Sequence, residues 1–260
     1  MTTLVLSPRF SDDSIALWRA AHAAGWRTRR LTRIGEAVEL AGELTGEPVA
    51  LYGETLMADA LRASLRLTLL EPAHDFLPRL PERHRRRAVS LQTLAELRAL
   101  RGPLFAKPVD DKWFPAGVFA DAVDIDPQIE GDLPVLVAEP VRFGLEVRAF
   151  VVERELATLS AYIRGGQLAR GDAWALTPAE EDAARTCLRA LLADPEVDLP
   201  PAVVVDVGEI VGRGWAVVEA NPAWASGICG TEPAAVLGVL RRACVRTAEA
   251  SAEDLRFARR

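Results

Sequence analysis

A chain of 260 residues, half of them apolar, holds enough hydrophobic mass for a sizeable core and suits one large domain or two small ones. Its formal net charge of −6 speaks against nucleic acid as the main partner, because phosphate binding draws on a basic surface. No run approaches about 18 uninterrupted apolar residues and the N-terminus lacks a basic segment followed by an apolar one, so no membrane span or signal peptide is expected and the cytoplasm is the expected compartment.

The first residues read as alternating β and α. A strand at 3–6 is followed by a helix that Ser11-Asp12-Asp13 caps and Gly25 stops near residue 24. Strands at 26–31 and 49–52, a helix at 55–64 and an apolar stretch at 65–70 complete a small parallel α/β domain. Glycines 42, 46 and 53 do not make Gly-x-Gly-x-x-Gly, so a dinucleotide fingerprint is absent. Residues 72–87 are rich in Pro and Arg, and the domain boundary is placed at their end: 1–88 forms the first domain, and 89–260 the second, with lobes at 89–140 and 141–260. The run His84-Arg85-Arg86-Arg87 is either a solvated face or a phosphate-facing one. Histidines 22, 74 and 84 all fall in the first third and none has an obvious catalytic partner. Cys187, Cys229 and Cys244 lack Cys-x-x-Cys spacing and read as reduced thiols.

A helix is expected from Ser90 or Thr93 to Leu100. A strand follows with Lys107 toward its end, then a loop carrying Lys112 and a resumed apolar segment to 119. A lysine inside a strand either snorkels at a sheet edge or serves a site. Residues 135–141 form a strand interrupted at Pro140. In the next strand, 144–152, Leu145, Val147, Ala149 and Val151 share one face, and Glu146 and Arg148 share the other. Arg154-Glu155 should turn the chain into a strand at 156–163 that ends at Arg164-Gly165-Gly166, with Arg164 a second candidate phosphate contact. Thr177-Pro178-Ala179-Glu180 is a capping box that opens a helix ending before Asp194.

Residues 203–222 read as a hairpin about Gly212-Arg213. A two-residue turn there places Asp206 opposite Glu219, with Asn221 on the face of Glu219. Facing carboxylates repel unless a cation lies between them, and a carboxylate, carboxylate and amide set of hard oxygens suits magnesium; the alternative is an edge hairpin with solvated acids. A glycine-bearing loop at 224–230 and a closing helix at 233–249 end the chain.

Asp206 followed by Glu219-Ala220-Asn221-Pro222 resembles the metal signature of the ATP-grasp superfamily. The Lys-Pro-Val at Lys107, the loop lysine Lys112 and the late Glu-x-Asn-Pro are similar to its small R-two-K clade. The resemblance covers roughly residues 90–240. It implies an ATP-grasp fold of α+β lobes behind the N-terminal α/β domain, with ATP and Mg2+ as cofactors. It further implies that Asp206, Glu219 and Asn221 hold one or two magnesium ions and that Lys107 touches the phosphates. Glu139, Pro140 and Val141 would hold adenine through backbone groups, Glu146 the ribose, and Arg148 substrate or phosphate. The family's loop after the lysine is glycine-rich, whereas this one keeps only Gly117 and offers the Lys112 ammonium instead. The implied activity is carboxylate-amine ligation through an acyl phosphate, acting on small-molecule carboxylates and amines or on a peptide. A nucleotide-binding regulator or scaffold and a phosphotransferase are the rival classes.

Overall fold

The computed structural model describes residues 1–44, 46–109, 113–121 and 125–259. β1 (Thr3–Leu6), α1 (Asp12–Ala23), β2 (Arg27–Arg30), α2 (Ala37–Glu43), β3 (Val49–Tyr52), α3 (Thr55–Leu65) and β4 (Leu67–Leu69) open the chain. β1, β2 and β3 form a parallel sheet in the order β2-β1-β3. The fully buried β1 lies at its centre, and the arginine-rich β2 takes an edge where long polar side chains reach water. α1 starts at a reciprocal Ser11–Ser14 capping box, and Gly25 follows it at φ +71°, a left-handed conformation that glycine adopts without strain.

α4 (Phe76–Arg79) and α5 (Glu82–Arg85) lead to β5 (Val89–Thr93), α6 (Leu94–Ala99), β6 (Leu104–Pro108), β7 (Gly117–Phe119) and β8 (Pro134–Ala138). These four strands make an antiparallel sheet ordered β5-β8-β6-β7. Residues 89–93 are therefore strand, and the helix expected from Ser90 or Thr93 begins after Thr93, whose hydroxyl accepts from the Glu96 amide. Leu94 and Leu97 of α6 pack with Leu104, Ala106, Val135 and Val137.

β9 (Phe143–Val152), β10 (Glu155–Arg164), β11 (Gln167–Leu168), α7 (Pro178–Ala193), β12 (Ala202–Ile210) and β13 (Gly214–Asn221) build the central sheet and its cover. The sheet is antiparallel in the order β11-β10-β9-β12-β13. The turn between β9 and β10 is Glu153-Arg154, one residue earlier than expected, with φ +49° and +61°, the paired positive φ of a type I′ hairpin. The expected alternation on β9 holds. Leu145, Val147, Ala149 and Val151 join Val203, Val205 and Val207 under α7, while Phe150, Ala202 and Val204 join the core that holds Leu4, Leu6 and Leu51 of the N-terminal sheet.

α8 (Pro233–Ala243), β14 (Cys244–Arg246) and α9 (Ala252–Arg256) close the chain. The closing helix stops at Ala243 instead of running to 249, because Cys244–Arg246 pairs antiparallel with β4. β4 and β14 form a two-stranded sheet of their own, so the final residues return to the N-terminal segment: Leu70 bridges Ala258, and Arg259 reaches Asp59 at 2.8 Å and Glu71 at 2.8 Å. Among the described residues no helix is long and apolar enough to cross a membrane.

Candidate active site at the central hairpin

Asp206 stands opposite Glu219, as the hairpin reading expected, by a different route. The ladder pairs Ile210 with Gly214, so the connection has three residues, with Gly212 at φ +82°. That register would carry Asp206 past Glu219. A β-bulge beside Asp206, with Val218 as the extra residue, restores the pairing, and both β-hairpin devices have to be present together. Arg87, outside the expected site, reaches this bulge. Its guanidinium donates to Val217 O at 2.7 Å and Val218 O at 2.9 Å. Burial pushes Arg87 down to about 10, with Glu146 and Glu219 among the acids that favour its charge.

The face of the central sheet that is apolar at Phe150, Ala202 and Val204 turns charged one register further along. There it carries Arg148, which pairs with Asp206 on one side and stacks on Tyr162, its guanidinium 3.9 Å from the ring centroid. Arg148 grips Asp206 with a fork, Nε to Oδ1 at 3.0 Å and Nη2 to Oδ2 at 2.7 Å, and its Nη1 donates to Gly227 O at 3.1 Å. From the other sheet Lys107 reaches across and donates to Glu219 Oε2 at 2.5 Å, while Asn221 Nδ2 donates to Glu219 Oε1 at 2.8 Å. The cations that facing carboxylates require are therefore Arg148 and Lys107. Lys107, half-buried, does not snorkel to an edge; it joins the two sheets.

These contacts divide the acids. Burial pushes Asp206 up to about 6 against the pull of Arg148. Burial also acts against Glu219, yet the Lys107 ammonium and the Asn221 amide hold it at about 2. Glu146, paired across the ladder with Gly208, is pushed up to about 7 by burial and then by the charges of Asp206 and Glu219.

The remaining expected residues are placed as follows. Glu139, Pro140 and Val141 link β8 to β9; the Glu139 N–H donates to Ala88 O at 3.0 Å, and its carboxylate takes Arg213 Nη2 at 2.6 Å. Arg164 is not turned to the carboxylates. It holds Glu180 at 2.6 Å and Asp172 at 3.2 Å, tying β10 to the start of α7. Lys112 lies outside the described residues. His84 has a partner that the sequence does not reveal, Asp194 at 2.7 Å, far along the chain. None of the three cysteines is in a disulfide.

The oxygen set of Asp206, Glu219 and Asn221 fits a hard divalent cation in ligand type, two carboxylates and an amide on one hairpin. Among the described residues no group of three His, Cys, Asp or Glu side chains is arranged to hold a metal.

Two sheets joined by a lysine–glutamate contact, with a carboxylate pair on the last hairpin, define the class of fold. A family model described as an ATP-grasp domain of the R-two-K clade, family 2, matches residues 84–239. The chain belongs to that family. No curated protein matches it. Among solved structures, the RimK domain ATP-grasp protein of Sphaerobacter thermophilus is 19% identical with a TM-score of 0.50, covering 93% of this chain and 98% of that one. The D-alanine–D-alanine ligase of Bacillus anthracis is 12% identical with a TM-score of 0.55, covering 92% and 96%. The ATP-grasp ligase PsnB with a minimal precursor is 16% identical with a TM-score of 0.51, covering 91% and 99%. These likenesses establish the fold.

Proposed function

We propose that the chain is an ATP- and magnesium-dependent carboxylate-amine ligase. The observation that carries this reading is the meeting of Lys107 from one sheet with Asp206, Glu219 and Asn221 from the other. Asp206, Glu219 and Asn221 would hold magnesium, which supplies charge neutralisation at the β- and γ-phosphates. Lys107, and Lys112 from the loop, would bind phosphate oxygens; Glu139 to Val141 would hold adenine, and Glu146 the ribose hydroxyls. Arg148 would orient the reacting carboxylate or the phosphate, whereas Arg164 serves the fold through Glu180. A substrate carboxylate oxygen attacks the γ-phosphorus and the bond to the β-phosphate bridging oxygen breaks, giving an acyl phosphate and ADP. An amine then attacks the acyl carbon and releases phosphate. Positioning and charge neutralisation dominate such transfers, so no general base of the Ser-His-Asp kind is required.

Family membership and the ligase names of two of the fold neighbours support the same chemistry. The test is turnover against pooled amino acids, small carboxylic acids and peptides, with hydroxylamine as a trap. The expected products are ADP, phosphate and a hydroxamate of the carboxylate substrate. AMP with pyrophosphate would overturn the mechanism. Phosphate moved to an acceptor without an amide would mark a phosphotransferase, and tight Mg-ATP binding without turnover a nucleotide-binding regulator or scaffold.

A further inference from the structure

We infer that Asp13, at the start of the N-terminal helix α1, is a positioning residue for Arg148, acting through the single peptide group that joins Gly227 to Ile228. Asp13 Oδ2 accepts the Ile228 N–H at 3.0 Å and the Tyr52 hydroxyl at 3.3 Å. The other end of the same peptide group, Gly227 O, accepts Arg148 Nη1 at 3.1 Å. In a trans peptide the N–H and C=O point in opposite directions, so an anion sits at the positive end of the dipole and a cation at the negative end. Each charge favours the orientation that serves the other.

Glycine at 227 is what makes both the approach and the need for an anchor. A Cβ there would lie 3.2 Å from Asp13 Oδ2, closer than most side-chain contacts, and 3.4 Å from Cys229 Sγ, at the edge of ordinary contact. Without a Cβ the peptide plane also turns readily, and Asp13 is the group that stops it. Arg148 is 5% exposed, so a lost carbonyl acceptor cannot be replaced by bulk water. Its other contacts are the fork on Asp206, the face of Tyr162 and a long contact from the same Nη1 to Cys229 Sγ at 3.9 Å, so among the described residues the carbonyl of Gly227 is the one oxygen that fixes Nη1. The loop is docked a second time, by the Gly53 N–H on Trp224 O at 3.0 Å. Gly53 follows β3 and Asp13 follows β1, so both anchors stand at the carboxyl ends of the parallel strands, where α/β sheets present functional groups. The N-terminal sheet thus sets the aim of the arginine that holds Asp206.

The inference rests on the ligase reading only where Mg-ATP is the probe, and two measurements keep them apart. Mg-ATP affinity is measured by calorimetry in the wild type, Asp13→Ala, Asp13→Asn, Arg148→Lys and the Asp13→Ala/Arg148→Lys pair, with each melting curve recorded. Arg148→Lys keeps a charge for Asp206 but cannot reach Gly227 O as well. Asp13→Ala is expected to weaken Mg-ATP binding roughly tenfold, Asp13→Asn to recover most of that through its amide oxygen, and Asp13→Ala to add less than about twofold in the Arg148→Lys background. Equal losses in both backgrounds, or no loss, would overturn the relay. Hydrogen exchange at the Ile228 amide in the same proteins needs no nucleotide: Asp13→Ala and Arg148→Lys should each accelerate it, with no further gain in the pair. If the wild type binds no Mg-ATP, the ligase reading falls and exchange alone decides the relay; an Arg148→Lys rate equal to wild type refutes it.

Discussion

At the scale of single residues, the two carboxylates of the hairpin differ in what holds them. Asp206 is fully buried and paired with an arginine that is itself buried. Asp206→Asn would leave that guanidinium uncompensated, so the variant is expected to lose on the order of 3 kcal/mol, read as a fall in urea midpoint at unchanged slope. Glu219→Gln releases a partly exposed lysine that water can solvate, and its stability should stay within about 1 kcal/mol of wild type. Both should lose magnesium-dependent ATP binding; a Glu219→Gln protein with undiminished Mg-ATP affinity would remove that residue from the metal set. Glu146 supplies a pH test. Its folded pKa, about 7, lies above the ordinary carboxylate value. The unfolded chain therefore releases this proton first, and the contribution of Glu146 to stability is full below about pH 4.5 and is lost as pH rises to about 7. Glu146→Gln should flatten that part of the profile and gain on the order of 2 kcal/mol at pH 8 relative to pH 4.5. A parallel pair of curves would refute the assignment.

The elements test the hairpin. Gly208 lies beside the bulge, and a Cβ there would stand 2.8 Å from Leu145 O and 2.8 Å from Phe143 Cδ1. The carbonyl belongs to a paired neighbouring strand and cannot move aside, so Gly208→Ala is expected to cost about 1–3 kcal/mol and to weaken Mg-ATP binding by disturbing Asp206 two residues away. Gly212, in open space at φ +82°, carries only the backbone penalty, and Gly212→Ala should cost about 1 kcal/mol and leave Mg-ATP affinity unchanged. Equal effects of the two substitutions on affinity would show that the bulge does not set the carboxylates. The hairpin was legible because its apolar alternation is interrupted at Asp206 and Glu219. The three-residue connection and the bulge were not legible, since each shifts the register by one and their effects cancel at the acids. Arg87 was hidden for another reason: it clamps carbonyls 130 and 131 residues away, and no periodicity marks a carbonyl acceptor.

On the scale of the whole molecule, the last residues pack back on the N-terminal segment, in a two-stranded sheet with β4. Cys244–Arg246 pairs with Leu67–Leu69, and Arg246 donates to Glu47 O at 3.0 Å and Leu65 O at 2.6 Å. Ending the chain after Ala243 should therefore unfold the N-terminal layer before the central sheet, giving a melting curve with two transitions where one is expected of the full chain. A truncated protein that melts in a single transition at the wild-type temperature would show that the closing strand adds nothing. The same return explains why the closing helix was expected to be too long. Residues 244–249 continue a helical pattern locally, and only a strand partner from the first third of the chain ends it.

By itself the sequence determined many of the local elements and the make-up of the hairpin: caps at Ser11 and Thr177, the two-faced β9, and Asp206 opposite Glu219 with Asn221 beside it. Those follow from period, capping and residue type, which act over a few positions. Tertiary structure alone decided which cations meet those acids, that Lys107 crosses between sheets while Arg164 goes to Glu180, and that Asp13 stands behind Arg148. Charge partners are chosen by where distant segments come to rest, and the burial that sends Asp206 up to about 6, like the Lys107 and Asn221 contacts that hold Glu219 at about 2 against its own burial, exists only once the sheets have closed on each other.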